Sequence, residues 1–335
     1  VVLNTFPFDA EIAELPRFVR QIEDLGVDAV IASDLGMITT VARESGLPIH
    51  LSTQASCLNL ESALQWNEFG VSRLILGREV SIREAGAIKR ATGLEVELFV
   101  HGSMCMAYSG NCTISNFTQG RDSNRGGCAQ SCRFSYSLTY PNDTTAVSNR
   151  FFMSSKDLMG LDLLPEFLSE GIDSIKIEGR MRSPLYAGVI SKIYREALDA
   201  LGPLNGSGGN DSARWKSEVE LLPHREYMTA SLTKPADHGS TLDKGIADSR
   251  EHYDFVGLVR KAEVGSYLLI EVKSPFAASD ELEILPFQGS PLIIRAEHLK
   301  SSVGLPMTQA KVSALARIPF VAGAEVGNIV RRVVR

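Results

Sequence analysis

Short runs rich in Val, Ile and Leu alternate with amphipathic stretches over the first 200 or so positions of the chain. "VVLNT" leads into "DAEIAELPRFVRQIEDLG", "DAVIASD" into "LGMITTVARESG", "PIHLST" into "NLESALQWNEFG", and "SRLILGRE" into "SIREAGAIKRATG". "LEVELFVHG" then runs directly into a stretch of turn-forming residues. After that stretch "SSKDLMGLDLLPEFLSEG" has a helical period, "IDSIKIEG" reads as a strand, and "SPLYAGVISKIYREALDALG" reads as a helix. Ser183 followed by Pro184 is a good helix start. Apolar runs bounded by amphipathic segments are the mark of βα units on a parallel sheet.

Six such strands are predicted, where a closed (β/α)8 barrel needs eight. The expectation is a TIM-like (β/α) barrel that lacks its first two βα units, in a chain that opens on a bare Val-Val strand. An open doubly wound sheet is the alternative. The units occupy residues 1–203, with an insertion at 101–134. Residues 204–250 begin "LNGSGGND" and read as a linker and connecting segment. From about residue 251 the period changes from helical to alternating, as in "YDFVGLVRKAE", "SYLLIEVKS" and "PLIIRAEHL". Residues 251–335 are therefore expected to form a small all-β barrel or sandwich.

The insertion is "HGSMCMAYSGNCTISNFTQGRDSNRGGCAQSCRF", which carries Cys105, Cys112, Cys128 and Cys132, four of the five cysteines. No signal segment opens the chain and no apolar run reaches about 18 residues, so the expected setting is cytoplasmic and reducing, away from a membrane. There a cysteine cluster points to metal or catalysis before disulfides. The spacing C-x6-C-x15-C-x3-C leaves three readings open. Thiolates suit an iron–sulfur cluster, which tolerates irregular spacing. Only the Cys128/Cys132 half resembles a zinc knuckle. Four buried thiols with no metal is the plain packing reading, and Cys57, alone on its segment, fits packing best.

Other chemistry falls at strand ends, where a barrel places its site. His50, Ser52 and Gln54, Arg78 and Glu79, Glu97 and His101, and Lys176, Glu178, Arg180 and Arg182 all lie there. Alternation puts Lys176 and Glu178 on one face, where two inward charges need each other or a ligand. Arg78, Arg180 and Arg182 suit carboxylates or phosphates, which match the guanidinium fork. His101 and Glu178 are candidates to move protons. No G-x-S-x-G elbow, H-E-x-x-H helix or phosphate-binding glycine loop is present. The net charge of −6 excludes a global basic field, so any RNA contact must be local, as at "GRDSNRGG". The tail "NIVRRVVR" reads first as an alternating strand with a charged face.

The stretches "ELFVHGSMCMAYSGNCTIS", "RDSNRGGCAQSCRF", "NTFP", "HLSTQ" and "IKIEGRMRSPLYAGVISKIYREALDA" strongly resemble the collagenase-like peptidase family of unassigned mechanism. Within it they look closest to the branch tied to tRNA uridine 5-hydroxylation. That resemblance implies iron–sulfur chemistry, prephenate as a co-substrate, and 5-hydroxyuridine at the wobble position of a tRNA as product. Related branches hydroxylate a ribosomal cytidine or support oxygen-independent ubiquinone synthesis. It also implies Cys105, Cys112, Cys128 and Cys132 as ligands of a [4Fe–4S] cluster, although some relatives draw one ligand from further downstream, where this chain has no cysteine. The "ELLAPAG"-like first strand of the family is absent, and "HREYMTASL" stands where relatives carry an "RGYTTGF"-like segment. The resemblance leaves two rival functions: the peptidase for which the family was named, and a non-catalytic iron–sulfur or zinc subunit that meets a protein partner through its β-rich domain.

Overall fold

The computed structural model of the chain describes residues 1–138, 147–202, 211–237, 239, 242 and 252–334. Two compact units emerge, Val1–Glu178 with Arg225–Ala247, and Gly179–His224 with Asp248–Arg335.

In the first unit β1 (Val2–Leu3) leads to α1 (Asp9–Asp24), β2 (Val30–Ala32) to α2 (Leu35–Glu44), β3 (Ile49–Leu51) to α3 (Leu60–Glu68), and β4 (Val71–Ile75) to α4 (Ile82–Thr92). Each helix starts where a polar group can hold its orphan amides. Glu11 reaches back to the Phe8 amide at 2.8 Å, Asp34 accepts from Met37, Asn59 from Ser62, and Ser81 with Glu84 closes a reciprocal box. In α1 the inward row is Leu15, Val19 and Ile22, the i, i+4, i+7 spacing of one helical face. The long strand β5 (Glu95–Ser103) is buried at every position after its first.

Beyond β5 come α5 (Ile114–Gln119), a hairpin of β6 (Tyr136–Leu138) and β7 (Val147–Arg150), then β8 (Asp157–Met159), α6 (Leu164–Ser169) and β9 (Ser174–Ile177). The stretch read as one helix is thus a short strand, a turn at Gly160 and a six-residue helix. All six predicted strands form. β1 to β5 lie side by side in chain order and parallel, and β9 joins β5, also parallel. The last part of β5 instead pairs antiparallel with β8, which no sequence pattern announced. Among the described residues the sheet is an open path, not a closed ring: β1 has one neighbour, β2. A mixed α/β unit is what the structure establishes.

In the second unit α7 (Pro184–Leu201) and α8 (Ser212–Glu220) belong with the C-terminal strands. Gly188 of α7 lets this helix approach Ile329, whose Cδ1 would sit 2.1 Å from a Cβ at that position. Residues 204–210 of the expected linker lie outside the described residues, and the part that follows is α8. Tyr227–Met228 returns to the first unit as β10, pairing with β8. The C-terminal strands are β11 (Tyr253–Glu263), β12 (Tyr267–Val272), β13 (Phe276–Ala277), β14 (Glu281–Leu285), β15 (Leu292–Arg295), β16 (Lys300–Ser301), β17 (Gln309–Ala310), β18 (Leu315–Pro319) and β19 (Ile329–Val333). Seven of them make one antiparallel sheet in the order β15-β14-β19-β11-β12-β18-β16. Its core includes Val256, Val259, Leu268, Ile270, Val272, Leu282, Ile284 and Ile318, with Leu268, Ile270 and Val272 on β12 and Leu282 and Ile284 on β14 at the alternate positions of one strand face. This confirms the all-β C-terminal domain. No described helix is long and apolar enough to cross a membrane.

Candidate functional site

The cysteine-bearing segment leaves the C-terminal end of β5 and is tied to the ends of the neighbouring strands. After β3, Ser56 donates to the Ser109 carbonyl, and Asn111 Nδ2 donates back to Ser56 Oγ at 3.0 Å. Gly110, at φ +80°, sits so close to this turn that a Cβ would lie 1.9 Å from the Gln54 carbonyl. After β4, Arg78 Nη1 donates to Ser109 Oγ at 3.2 Å while its guanidinium lies 3.8 Å over the Phe99 ring. After β1, the Phe6 amide donates to the Asn124 carbonyl at 3.3 Å, and Arg125 grips Glu11 through two bonds of 2.9 and 2.7 Å. Asn124 Nδ2 donates in turn to the Cys112 carbonyl at 3.2 Å. Inside the segment the buried hydroxyls of Ser115 and Ser131 meet at 3.3 Å, and Tyr136 caps the Ser131 carbonyl at 2.7 Å. The insertion is therefore a folded lobe seated where chemistry is expected on a parallel sheet.

None of its four cysteines is joined in a disulfide among the described residues; Cys105 is exposed, and Cys112, Cys128 and Cys132 are half-buried. Burial pushes the Cys132 thiol up, the Arg133 guanidinium pulls it back, and Cys105, Cys128 and Cys112 push it up again. Cys132 thus feels all three of the other sulfurs. Among the described residues no group of three or more His, Cys, Asp or Glu side chains has closed to metal-holding geometry. The donor set itself, four soft sulfurs in electrostatic reach of Cys132, fits a thiolate-held group. Cys57 stands apart: it is 1% exposed, and burial, partly offset by a backbone hydrogen bond at Asn59, pushes its thiol up to about 11.

His101 and Glu178 come together at the root of the lobe. The Glu178 amide donates to the His101 carbonyl at 2.9 Å, and its carboxylate accepts from the Ser103 amide at 3.1 Å. Gly102 makes this possible: at φ +105°, a Cβ there would be 2.1 Å from the Glu178 carbonyl. His101 is wholly buried, with its ring 5.4 Å from that of Tyr227. Lys176 does not pair with Glu178 as alternation suggested. Its ammonium goes to Glu97 at 3.1 Å, which also accepts from Ser174 at 2.9 Å and faces Arg73 at 3.8 Å. That polar layer includes His50, whose imidazole is held below the usual range by burial and by Arg73. Arg180 and Arg182 fall in the second unit, where Arg182 donates to the Pro223 carbonyl at 2.8 Å and lies 5.1 Å over Tyr186. The structure thus places Arg78, His101 and Glu178 with the cysteine lobe, while Lys176 is committed to Glu97.

Asp157, its partner Arg225 and Arg133 were not singled out by spacing, whereas Glu79 was already among the strand-end candidates. Asp157, fully buried on β8, accepts from the Arg225 amide at 3.1 Å and faces that guanidinium at 3.4 Å. Arg133 donates from Nη2 to the Met104 carbonyl at 3.0 Å, with Nε and Nη1 buried and unpaired among the described residues. Glu79, next to Arg78, keeps a buried Oε2 without a hydrogen bond, and burial raises its carboxyl above the usual range. A charged side chain beside a predicted strand end was the available signal for Glu79; for Asp157 and Arg225 there was none.

The model of peptidase family U32 matches residues 1–241, and that of the peptidase family U32 C-terminal domain matches residues 251–331. The chain belongs to peptidase family U32. This agrees with the resemblance carried by the cysteine segment. Among U32 relatives, the tRNA hydroxylation protein P1 of Bacillus subtilis is 34% identical over 293 residues, covering 84% of this chain and 68% of that protein. The tRNA hydroxylation protein P of Escherichia coli is 28% identical over 356 residues, covering 92% and 77%. The 23S rRNA 5-hydroxycytidine C2501 synthase of Escherichia coli is 32% identical over 298 residues, covering 85% of this chain and 43% of that protein.

Proposed function

We propose that this U32 member is an RNA-modifying enzyme that hydroxylates C5 of a pyrimidine, a tRNA wobble uridine being the favoured target. The relatives named for tRNA and rRNA hydroxylation support this reading. The observation that carries it is the seating of the four-thiol lobe at the end of β5, with Arg78, His101 and Glu178 at its root. Cys105, Cys112, Cys128 and Cys132 would hold a [4Fe–4S] cluster, which when bound supplies one-electron chemistry and an iron for a small co-substrate. Arg78 is the residue for a co-substrate carboxylate such as those of prephenate. Among the described residues its hydrogen bond goes to a neutral hydroxyl, with the guanidinium over the Phe99 ring, which leaves the other arm of the fork for an anion. Glu178 is placed to hold a proton at the root of the lobe, and the wholly buried His101 positions it through the backbone. An unpaired anticodon-loop uridine needs no duplex opening to reach such a site. We read the chain-ordered parallel arc, β1 to β5 with β9, as part of a (β/α) barrel.

Mass spectrometry of nucleosides from tRNA of cells with and without the gene tests the reading. Loss of 5-hydroxyuridine derivatives on deletion is expected, and unchanged levels would remove it. Anaerobic purification should yield a brown protein absorbing broadly near 400 nm, the hallmark of an iron–sulfur cluster. A colourless protein with stoichiometric zinc would overturn the cluster assignment.

A further inference from the structure

One face of the C-terminal sheet is a set of cations held in register. Val259, Leu268, Ile270, Leu299, Ala316 and Ile318 turn into the core, so the alternate positions of these strands face the other way. On that face Lys300 of β16 stands opposite Arg317 of β18, Arg317 opposite Leu269 of β12, and Leu269 opposite Lys261 of β11. Side-chain contacts agree: the Tyr267 ring has Arg317 at 4.3 Å and Lys261 at 5.9 Å. A bulge between Val259 and Lys261 adds Arg260, whose Nε donates to Glu271 at 2.6 Å, and Lys273 joins the same carboxylate.

The charge of this face is only partly met from within. Arg260 and Lys273 share the one carboxylate of Glu271, and Lys261 takes Glu263 at 2.7 Å. Among the described residues no carboxylate reaches the other two: Arg317 donates to the neutral Ser302 carbonyl, and Lys300 is exposed. Five cations against two carboxylates leave a surplus of three. Residues 251–335 hold ten Lys and Arg against nine Asp and Glu, so the surplus arises from segregation of charge and not from a basic domain.

The shape of the row selects the occupant. Neighbouring strands lie about 4.8 Å apart, so Lys300 to Lys261 spans roughly 14 Å. A small anion bridges two such groups at most, whereas a chain of phosphates follows them all. Protein interfaces are depleted of charge at their centre. Here the charged row is the centre, and Leu269 is the one apolar residue within it.

We propose that Lys261, Arg317 and Lys300, with Arg260 beside them, hold the phosphate backbone of the substrate RNA. The proposal rests on the RNA reading above and adds a sequence-independent holding surface made of none of the residues assigned to the chemistry. Tyr267 steadies two of its cations.

A salt titration of the binding of the full chain to tRNA tests it. Lys261→Gln and Lys300→Gln alter exposed side chains, so melting curves should not move. Each should lower the slope of log affinity against log salt by about 0.7–0.9, with the same loss for tRNAs of different sequence. Lys261→Arg with Lys300→Arg keeps the charge and should keep the slope. A double glutamine variant with the parent's affinity and slope overturns the proposal and leaves the RNA reading intact. A parent with no measurable tRNA affinity overturns it as well, and nucleoside mass spectrometry then decides the RNA reading separately. Polyglutamate bound as tightly as tRNA, with the same loss in the double variant, would assign the face to an acidic protein and overturn the phosphate assignment.

Discussion

Arg78 donates to Ser109 at 3.2 Å, and so joins the end of β4 to the turn between Cys105 and Cys112. The bond uses one arm of a guanidinium whose carbon lies 3.8 Å from the centre of the Phe99 ring. A lysine keeps the charge but loses the fork and the stacking. Arg78→Lys should leave the fold intact and raise the KM for a carboxylate co-substrate by about 10-fold or more, the worth of a charge-assisted hydrogen bond. Steady-state kinetics with the co-substrate varied checks this; an unchanged KM removes Arg78 from the carboxylate site.

Gly110 and Gly120 both have positive φ, +80° and +61°, in the same lobe, yet they should respond differently to alanine. At Gly120 a Cβ meets nothing within 4 Å, so only left-handed strain of about 1 kcal/mol is incurred. At Gly110 the same strain is joined by a clash at 1.9 Å with the Gln54 carbonyl. Gly110→Ala should destabilise the protein by about 2 kcal/mol or more, lowering Tm by roughly 4–8 °C, and should undock the lobe from the β3 end. Thermal melts of the two variants side by side provide the check. Equal small losses would show that the lobe moves freely over Gln54.

The Glu11–Arg125 pair makes the docking of the lobe sensitive to acid. The Arg125 guanidinium, helped by the Phe8 amide, holds the Glu11 carboxyl down at about 2, from an ordinary 4.5. A depressed carboxyl favours the folded state above the unfolded value, and that advantage is lost as pH falls through the folded one. Melting curves of the parent and Glu11→Gln should therefore differ near neutral pH and converge between about 4.5 and about 2. Since the pair is exposed, added salt should narrow the gap at neutral pH as well. A gap independent of pH would mean that the pair does not clamp the lobe.

The sequence shows the strands well because parallel strands buried on both faces read as unbroken apolar runs, and β1 to β5 and β9 all formed where such runs lay. β8 and β10, three and two residues long, carry no period of their own and exist because β5 is long enough to be paired twice. The cysteine lobe was visible by composition, and its place after β5 by the run "ELFVHG". What composition hid is how it is seated. Glu97 rather than Glu178 takes Lys176, because β5 and β9 put Glu97 against Ser174 and bring Lys176 alongside. Such pairings arise from register across more than 70 positions, which no local pattern encodes. Likewise "NIVRRVVR" reads as a strand with a charged face, yet one of its arginines is among the most buried side chains of the molecule.

That arginine is Arg331, wholly buried on β19. It donates to both oxygens of Glu218 on α8, at 2.7 and 3.0 Å, and to Glu283 across the sheet at 2.7 Å, with its guanidinium 3.7 Å over the Tyr253 ring. Desolvation works against its charge, but the two carboxylates more than offset this and hold the guanidinium above its usual range. Removing the cation leaves two carboxylates facing each other with little water, which costs about 3–5 kcal/mol for a broken buried pair. Arg331→Met should accordingly lower the urea midpoint of the protein. Arg331→Met combined with Glu218→Gln and Glu283→Gln should recover much of that loss, since replacing a whole buried ionic group is far milder than orphaning half of it. Equal instability of the single and triple variants would show that packing around the guanidinium, and not its charge, joins α8 to β14 and β19.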